Sequence, residues 1–255
     1  MRLCVRFDNI GCQFFRRTTW AWVVVIVCSS CSQSNERRYF NAGCKKNASG
    51  DYAGAVADFD RAIQIDSNYV KAYDARGNAK DALKDEVGAI ADFTKAIQLN
   101  PRYQFAYYNR GNAELNLKDY TNAINDYDKA AELNPQDAAV YLNRGNAKYY
   151  LSDDLAAIAD YTKALELNPR YDKAYNGLGV ARNHVRDFDR AIVDCNKAIE
   201  LNPQYTEAYN NRGNAKRGLK DFDGAIADYD KAIELNPQYA NAYSNRAAVE
   251  VLKKQ

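Results

Sequence analysis

Five Asn-Pro pairs begin at residues 100, 134, 168, 202 and 236, and every interval is 34 residues. A chain that repeats at a fixed period of this length repeats its structure too. That confines it to an array of stacked supersecondary units rather than one closed core. One period upstream, Asp66-Ser67 occupies the same place as a degenerate copy. Framing each unit to end two residues after the Pro gives 36–69, 70–103, 104–137, 138–171, 172–205 and 206–239, with a partial unit, 240–255.

Aligned in this frame, the fourth position is Tyr throughout (Tyr39, Tyr73, Tyr107, Tyr141, Tyr175, Tyr209, Tyr243). The eighth is Gly in every full unit, the twentieth and twenty-seventh are Ala, and the twenty-fourth is aromatic except at Cys195. Each unit holds two apolar stretches at helical spacing. Between them an Asp recurs at position sixteen (Asp51, Asp85, Asp119, Asp153, Asp187, Asp221), a favoured N-cap. Asn-Pro ends the second stretch, because the residue before Pro avoids the helical region. Gly at eight and Ala at twenty remove bulk where paired helices approach. Position twenty-four reads as core, so Tyr127→Ala is expected to cost about 3–5 kcal/mol. Asp at twenty-three precedes Lys or Arg by three residues, as in Asp228 and Lys231. That spacing reads as ion pairs on a solvated helix face.

These columns resemble the tetratricopeptide repeat (TPR). The resemblance covers residues 36–255 and implies an all-α, right-handed superhelix of antiparallel helix pairs. In the partial unit, Ala247 replaces the usual Gly, and Val249, Val251 and Leu252 are expected to leave an apolar end for fraying, truncation or self-association.

Residues 1–31 form a different segment. Arg16-Arg17 precede the apolar run Trp20–Cys28, and the small residues Ser29-Ser30 precede Cys31. This order is that of a secretory signal, the run being too short to span a bilayer. A retained membrane anchor and a mis-assigned start are the competing readings. Ser-Ser-Cys31 resembles a bacterial lipoprotein cleavage box, with Cys31 as the lipidated residue, although Cys28 departs from the usual aliphatic. Residues 32–35 read as a short linker. Membrane association would then be through this segment alone, with an exported, cell-envelope location and a cytoplasmic one as alternative.

Composition narrows the function. The chain carries 35 basic and 33 acidic groups; Arg2, Arg6, Arg16 and Arg17 against Asp8 leave 31 and 32 beyond the leader. A near-neutral array lacks the basic footprint of a nucleic-acid binder. One His, His184, cannot build a two-His metal site. No nucleophile elbow, phosphate loop or dinucleotide fingerprint occurs, so no catalytic residue, metal or cofactor is assigned and the chain reads as a non-enzyme.

The resemblance implies a concave groove lined by first helices at positions two, five, six, nine, twelve and thirteen, binding a partner peptide or helix. Position nine carries Asn78, Asn112, Asn146 and Asn214; position six carries Asn109, Asn143, Asn211 and Asn245. Amides three residues apart share a face and either hold a peptide backbone or satisfy contacts between helices. Phe105, Tyr108, Leu115, Leu142, Tyr149 and Tyr150 place an apolar pocket in the middle, or pack into the core. Asp74 and Asp81 lie to one side, and Lys173, His184 and Arg217 to the other. Unit 172–205 interrupts the amides with Gly177 and Val180. The Lys and Arg of the chaperone-tail carboxylate clamp are missing. The expected function is therefore a protein-interaction scaffold or adaptor. A self-assembling structural protein, homo-oligomeric through the array ends, and an accessory subunit of an envelope enzyme complex are the alternatives.

Overall fold

The structure is a computed structural model and describes residues 34–254. The expected signal or anchor, Cys31 and most of the linker lie outside the described residues. Among the described residues there are thirteen α-helices and no strand. They are α1 (Asn35–Ala48), α2 (Tyr52–Ile65), α3 (Val70–Ala82), α4 (Glu86–Leu99), α5 (Gln104–Asn116), α6 (Tyr120–Leu133) and α7 (Ala138–Tyr150). There follow α8 (Asp154–Leu167), α9 (Asp172–His184), α10 (Phe188–Leu201), α11 (Thr206–Gly218), α12 (Phe222–Leu235) and α13 (Ala240–Lys253). Odd-numbered helices are the first of each unit and even-numbered ones the second. Each helix packs on its neighbours in chain order, giving an α–α solenoid.

The repeated columns explain each boundary. Asp51, Asp85, Asp119, Asp153 and Asp221 accept the backbone N–H three residues on, at 2.9–3.4 Å. Asp187 departs from the expected pattern: it makes no capping bond and takes Arg190 at 2.5 Å instead. A guanidinium three residues away draws that carboxylate off the helix end. The second helices stop at extended Asn residues such as Asn100 (φ −141°, ψ 92°). The turn between paired helices passes a left-handed residue: Gly50 in the first unit, then Lys84, Lys118, Ser152, Arg186 and Lys220 at φ 62–66°.

Packing within a unit centres on positions eight and twenty-four. A Cβ on Gly43, Gly77, Gly111, Gly145 or Gly213 would lie 2.6–2.9 Å from the ring of Phe59, Phe93, Tyr127, Tyr161 or Tyr229. Those rings are at most 2% exposed. Any side chain at eight would therefore prise the pair apart, which outweighs the roughly 1 kcal/mol that Gly costs in a helix.

The Asp at twenty-three corrects the solvated-face reading. Asp58, Asp92, Asp126, Asp160, Asp194 and Asp228 are all buried. Arg76, Arg110, Arg144 and Arg212, at position seven, grip them with both Nε and Nη2 at 2.5–2.9 Å. Lys46, Lys80, Lys148 and Lys216, at position eleven, close the other side at 2.7–2.8 Å. The Lys three residues after the Asp pairs elsewhere: Lys129, Lys163, Lys197 and Lys231 reach the next Glu at 2.7–2.9 Å. Position seven also reaches back one unit, as Arg76 to Asp60 and Arg144 to Asp128. It thus ties units together as well as helices.

The two ends differ. At the start, Arg38 and Lys45 are exposed where later units bury Ala72 and Ala79, so α1 presents a charged outer face. At the end, Val249 is fully buried against α12, contrary to the expected exposure, while Val251 and Leu252 are 59% and 44% exposed. First helices of successive units touch one another and second helices do not. The array therefore curves toward its first helices, which line the concave side.

Candidate functional site: a gap in an amide ladder

The groove amides have internal partners. At position six, Asn109 donates to Asp74 at 2.9 Å, Asn143 to the Tyr108 hydroxyl at 3.1 Å, Asn211 to Asn176 at 2.9 Å and Asn245 to Asn210 at 2.9 Å. Each acceptor is position five of the preceding unit. At position nine, Asn112, Asn146 and Asn214 accept the hydroxyls of Tyr127, Tyr161 and Tyr229 at 2.8–2.9 Å. Asn143 also donates to Asn112 at 2.9 Å. Half-buried amides need partners, and the neighbouring unit supplies them. The ladder thus holds the first helices side by side.

The rung fails at two steps. Between the first two units it would join Phe40 to Ala75, and the Phe40 ring fills the place, packing on Phe59 and Tyr69. Between units 138–171 and 172–205 it would join Leu142 to Gly177, and neither side chain is polar. A cavity of about 510 Å³ opens there. Its lining is Tyr108, Leu142, Asn143, Asn146, Tyr149, Tyr150, Tyr161, Tyr171, Lys173, Asn176, Gly177, Val180 and Tyr205. Gly177 is required for the opening, since a Cβ there would stand 2.8 Å from the Tyr161 ring.

Seven of the groove residues expected from the sequence meet in this lining: Tyr108, Leu142, Asn143, Asn146, Tyr149, Tyr150 and Lys173. Asn78, Phe105, Asn109, Asn112, Leu115, Asn211, Asn214 and Arg217 lie outside it. Phe105 is 55% exposed and stacks edge-on against Tyr103, while Leu115 packs beside the core around Tyr127. Asn176 holds position five, one of the expected groove positions, whereas Tyr161, Tyr171 and Tyr205 lie at positions the sequence did not assign to the groove. Tyr171 and Tyr205 belong to a column, the last position of the unit, that is Tyr in five of six full units.

The electrostatics favour neutral donors. Burial raises the hydroxyl pKa of Tyr108, Tyr149 and Tyr171, and pushes that of Tyr205 up to about 12. These phenols therefore stay protonated. Lys173 is the one charged residue of the lining. The carboxylates nearby are engaged: Asp137 by Gln104 and the Ala139 N–H, Asp172 by Asn202, and Asp154 by His184 at 3.1 Å. The Asp74 carboxyl, held by Asn109 and Tyr103, has its pKa raised by burial. His184 meets Tyr149 in a tilted contact, Tyr149 adjoins Tyr150, and Tyr150 stacks on Tyr120, so the rim is a row of rings. Ring faces and N–H and O–H donors suit noncovalent recognition of an apolar group and the acceptors beside it. Among the described residues no group of three or more His, Cys, Asp or Glu is placed to hold a metal ion.

Family models described as the tetratricopeptide repeat match residues 70–103, 105–137, 138–171, 172–205 and 206–239. No curated protein sequence matches the chain significantly. Among solved structures, YrrB, described as a TPR protein with an unusual peptide-binding site, is 22% identical with TM-score 0.62, over 74% of this chain and 97% of its own. MamA is 27% identical with TM-score 0.60, over 67% and 93%. A tetratricopeptide repeat protein from Parabacteroides merdae is 19% identical with TM-score 0.73, over 86% and 87%.

Proposed function

From the premise that the chain belongs to the tetratricopeptide repeat family, we propose that it is a non-catalytic scaffold docking a partner protein in its concave groove, at the Leu142–Gly177 gap. Members of such a fold act through the surfaces they present, and the scaffold role follows from the repeats themselves. The observation that carries the finer reading is the tyrosine-lined cavity opening where the ladder loses its rung. YrrB, a protein of the same fold, is described as having a peptide-binding site, which is in keeping with this reading.

The test is capture of partners from the native host on the wild type and on a Tyr108→Glu/Tyr149→Glu variant whose helicity is unchanged by circular dichroism. A partner kept by the wild type and lost by the variant supports groove docking. Equal retention moves the interface to the convex face or the ends.

A second reading rests on α13, where Tyr243, Val251 and Leu252 are 41–59% exposed. In this reading the chain self-associates through that face, and its sedimentation coefficient rises with concentration. The export reading rests on residues 1–31 alone. Its check is the N-terminus of protein isolated from the host: a lipidated Cys31 supports a lipid-anchored envelope protein, and an intact Met1 opposes cleavage and leaves the retained anchor to be tested by membrane fractionation.

A further inference from the structure

The two failed rungs share one frame. Position five is Phe40 in one and Leu142 in the other; position twenty-four is Phe59 or Tyr161; the last position is Tyr69 or Tyr171; position six of the next unit is Ala75 or Gly177. In the first, the Phe40 ring lies 5.7 Å from Phe59 at 47° and 5.0 Å from Tyr69 at 44°. The chain thus closes its own gap with an aromatic ring. Tyr108, also at position five, lies 6.1 Å from Tyr127 at 53° in the same way. At the second gap the ring is missing. Leu142 is smaller and sits in the core among alanines, and Gly177 is smaller than Ala75, so the space above Tyr161 and beside Tyr171 stays open.

We propose that an extended segment of a partner protein inserts an aromatic side chain into this gap, taking the place that Phe40 holds in the first unit. This deepens the groove reading and rests on it. The inserted ring meets Tyr161 and Tyr171 in tilted contacts of the kind Phe40 makes, an arrangement aromatic pairs favour. Asn146, which has no amide from the next unit above it, and Lys173 are donors in the same lining for the segment's backbone carbonyls.

The experiment uses the full chain and three fluorescein-labelled Ser-Gly decapeptides with a central Phe, Leu or Ala, titrated by fluorescence polarisation. The Phe peptide is expected to bind about tenfold tighter than the Ala peptide, the scale of one buried ring pair. Leu142→Phe, which copies Phe40 and fills the gap from within, is expected to erase that preference. Gly177→Leu, with helicity checked by circular dichroism, does the same by a different route. Equal affinity for Phe and Ala peptides overturns the aromatic proposal; if both are lost in Tyr108→Glu/Tyr149→Glu, the groove reading survives it. Binding that is indifferent to that double variant overturns the groove reading as well. A Phe preference that persists in Leu142→Phe, or no binding of the Phe peptide, overturns the proposal. Phe-peptide affinity that falls as protein concentration rises assigns the gap to a second copy of the chain and overturns it too.

Discussion

Asp160 is 4% exposed, yet two cations converge on it. Removing a buried carboxylate from such a cluster strands Lys148 and leaves Arg144 only Asp128 of the preceding unit. Broken buried pairs of this kind cost about 3–5 kcal/mol, so Asp160→Ala is expected to lower the urea midpoint strongly. A change below about 1 kcal/mol would return the Asp column to the surface role its sequence spacing suggests. The spacing misleads because a helix wheel compares a residue only with its own helix. The true partner is Arg144, sixteen residues earlier on the preceding helix, and that constant separation recurs at Arg76, Arg110 and Arg212. Tyr161 gives a milder case. Tyr161→Phe keeps the ring and deletes the hydroxyl that Asn146 accepts, an expected loss of about 1 kcal/mol by thermal unfolding. The ladder gap was visible in sequence only as two departures, Leu142 and Gly177. Seeing them as one feature needs the knowledge that position five faces position six of the next unit.

At the scale of the helix pair, α5 and α6 depart from the common design. Position eleven, a Lys in four units, is Glu114 here. Its carboxyl stands beside Asp126 in the slot an ammonium occupies elsewhere, and Oε2 is buried with no partner. Arg110 lies 4.0 Å away, already gripping Asp126, and Asp119 adds a further like charge. Burial first, then Asp126, raises the Glu114 carboxyl to about 7. In α9 and α10, position seven is Leu178, so Asp194 pairs with Arg182 and lacks the second grip that the position-seven Arg supplies in other units. Burial pushes that carboxyl up to about 6. An acid with a raised folded-state pKa stabilises the fold most below its unfolded pKa, and that contribution is lost as pH rises through the folded value. The pair holding Glu114 therefore weakens between about pH 4.5 and 7, and the pair holding Asp194 between about pH 3.8 and 6. Glu114→Lys restores the common design and is expected to stabilise the array at pH 7.5 by on the order of 2 kcal/mol, with little gain at pH 4.5. Urea titrations of both proteins at the two pH values check this; a gain independent of pH would assign the effect to packing. The repeats made the helix pairs, their order and their ends legible in the sequence. Such defects were not, because a single substitution in a column says nothing of its burial.

In the whole array, stability is close to a sum over units and the contacts between neighbours. Such a molecule opens first where that sum is smallest. Unit 172–205 loses three shared features at once. Leu178 provides no Arg to bridge Asp194 and the preceding unit, Cys195 replaces the core ring, and Val180 replaces the amide that would meet a hydroxyl there. It is also one wall of the cavity, so local opening there would reshape the candidate site. Cys195 itself reports on this. It is fully buried, and burial pushes its thiol up to about 12, so a thiol reagent reaches it only through an opened state. With Cys4, Cys12, Cys28, Cys31 and Cys44 replaced by Ser, the labelling rate of Cys195 in native buffer measures the opening free energy of this unit alone. It is expected to fall below the global unfolding free energy by about 1–3 kcal/mol, the loss of one buried ion pair or ring contact in a nearest-neighbour sum. Labelling that instead tracks global unfolding would mean that the array melts as one cooperative body, with the gap held as rigidly as the units beside it.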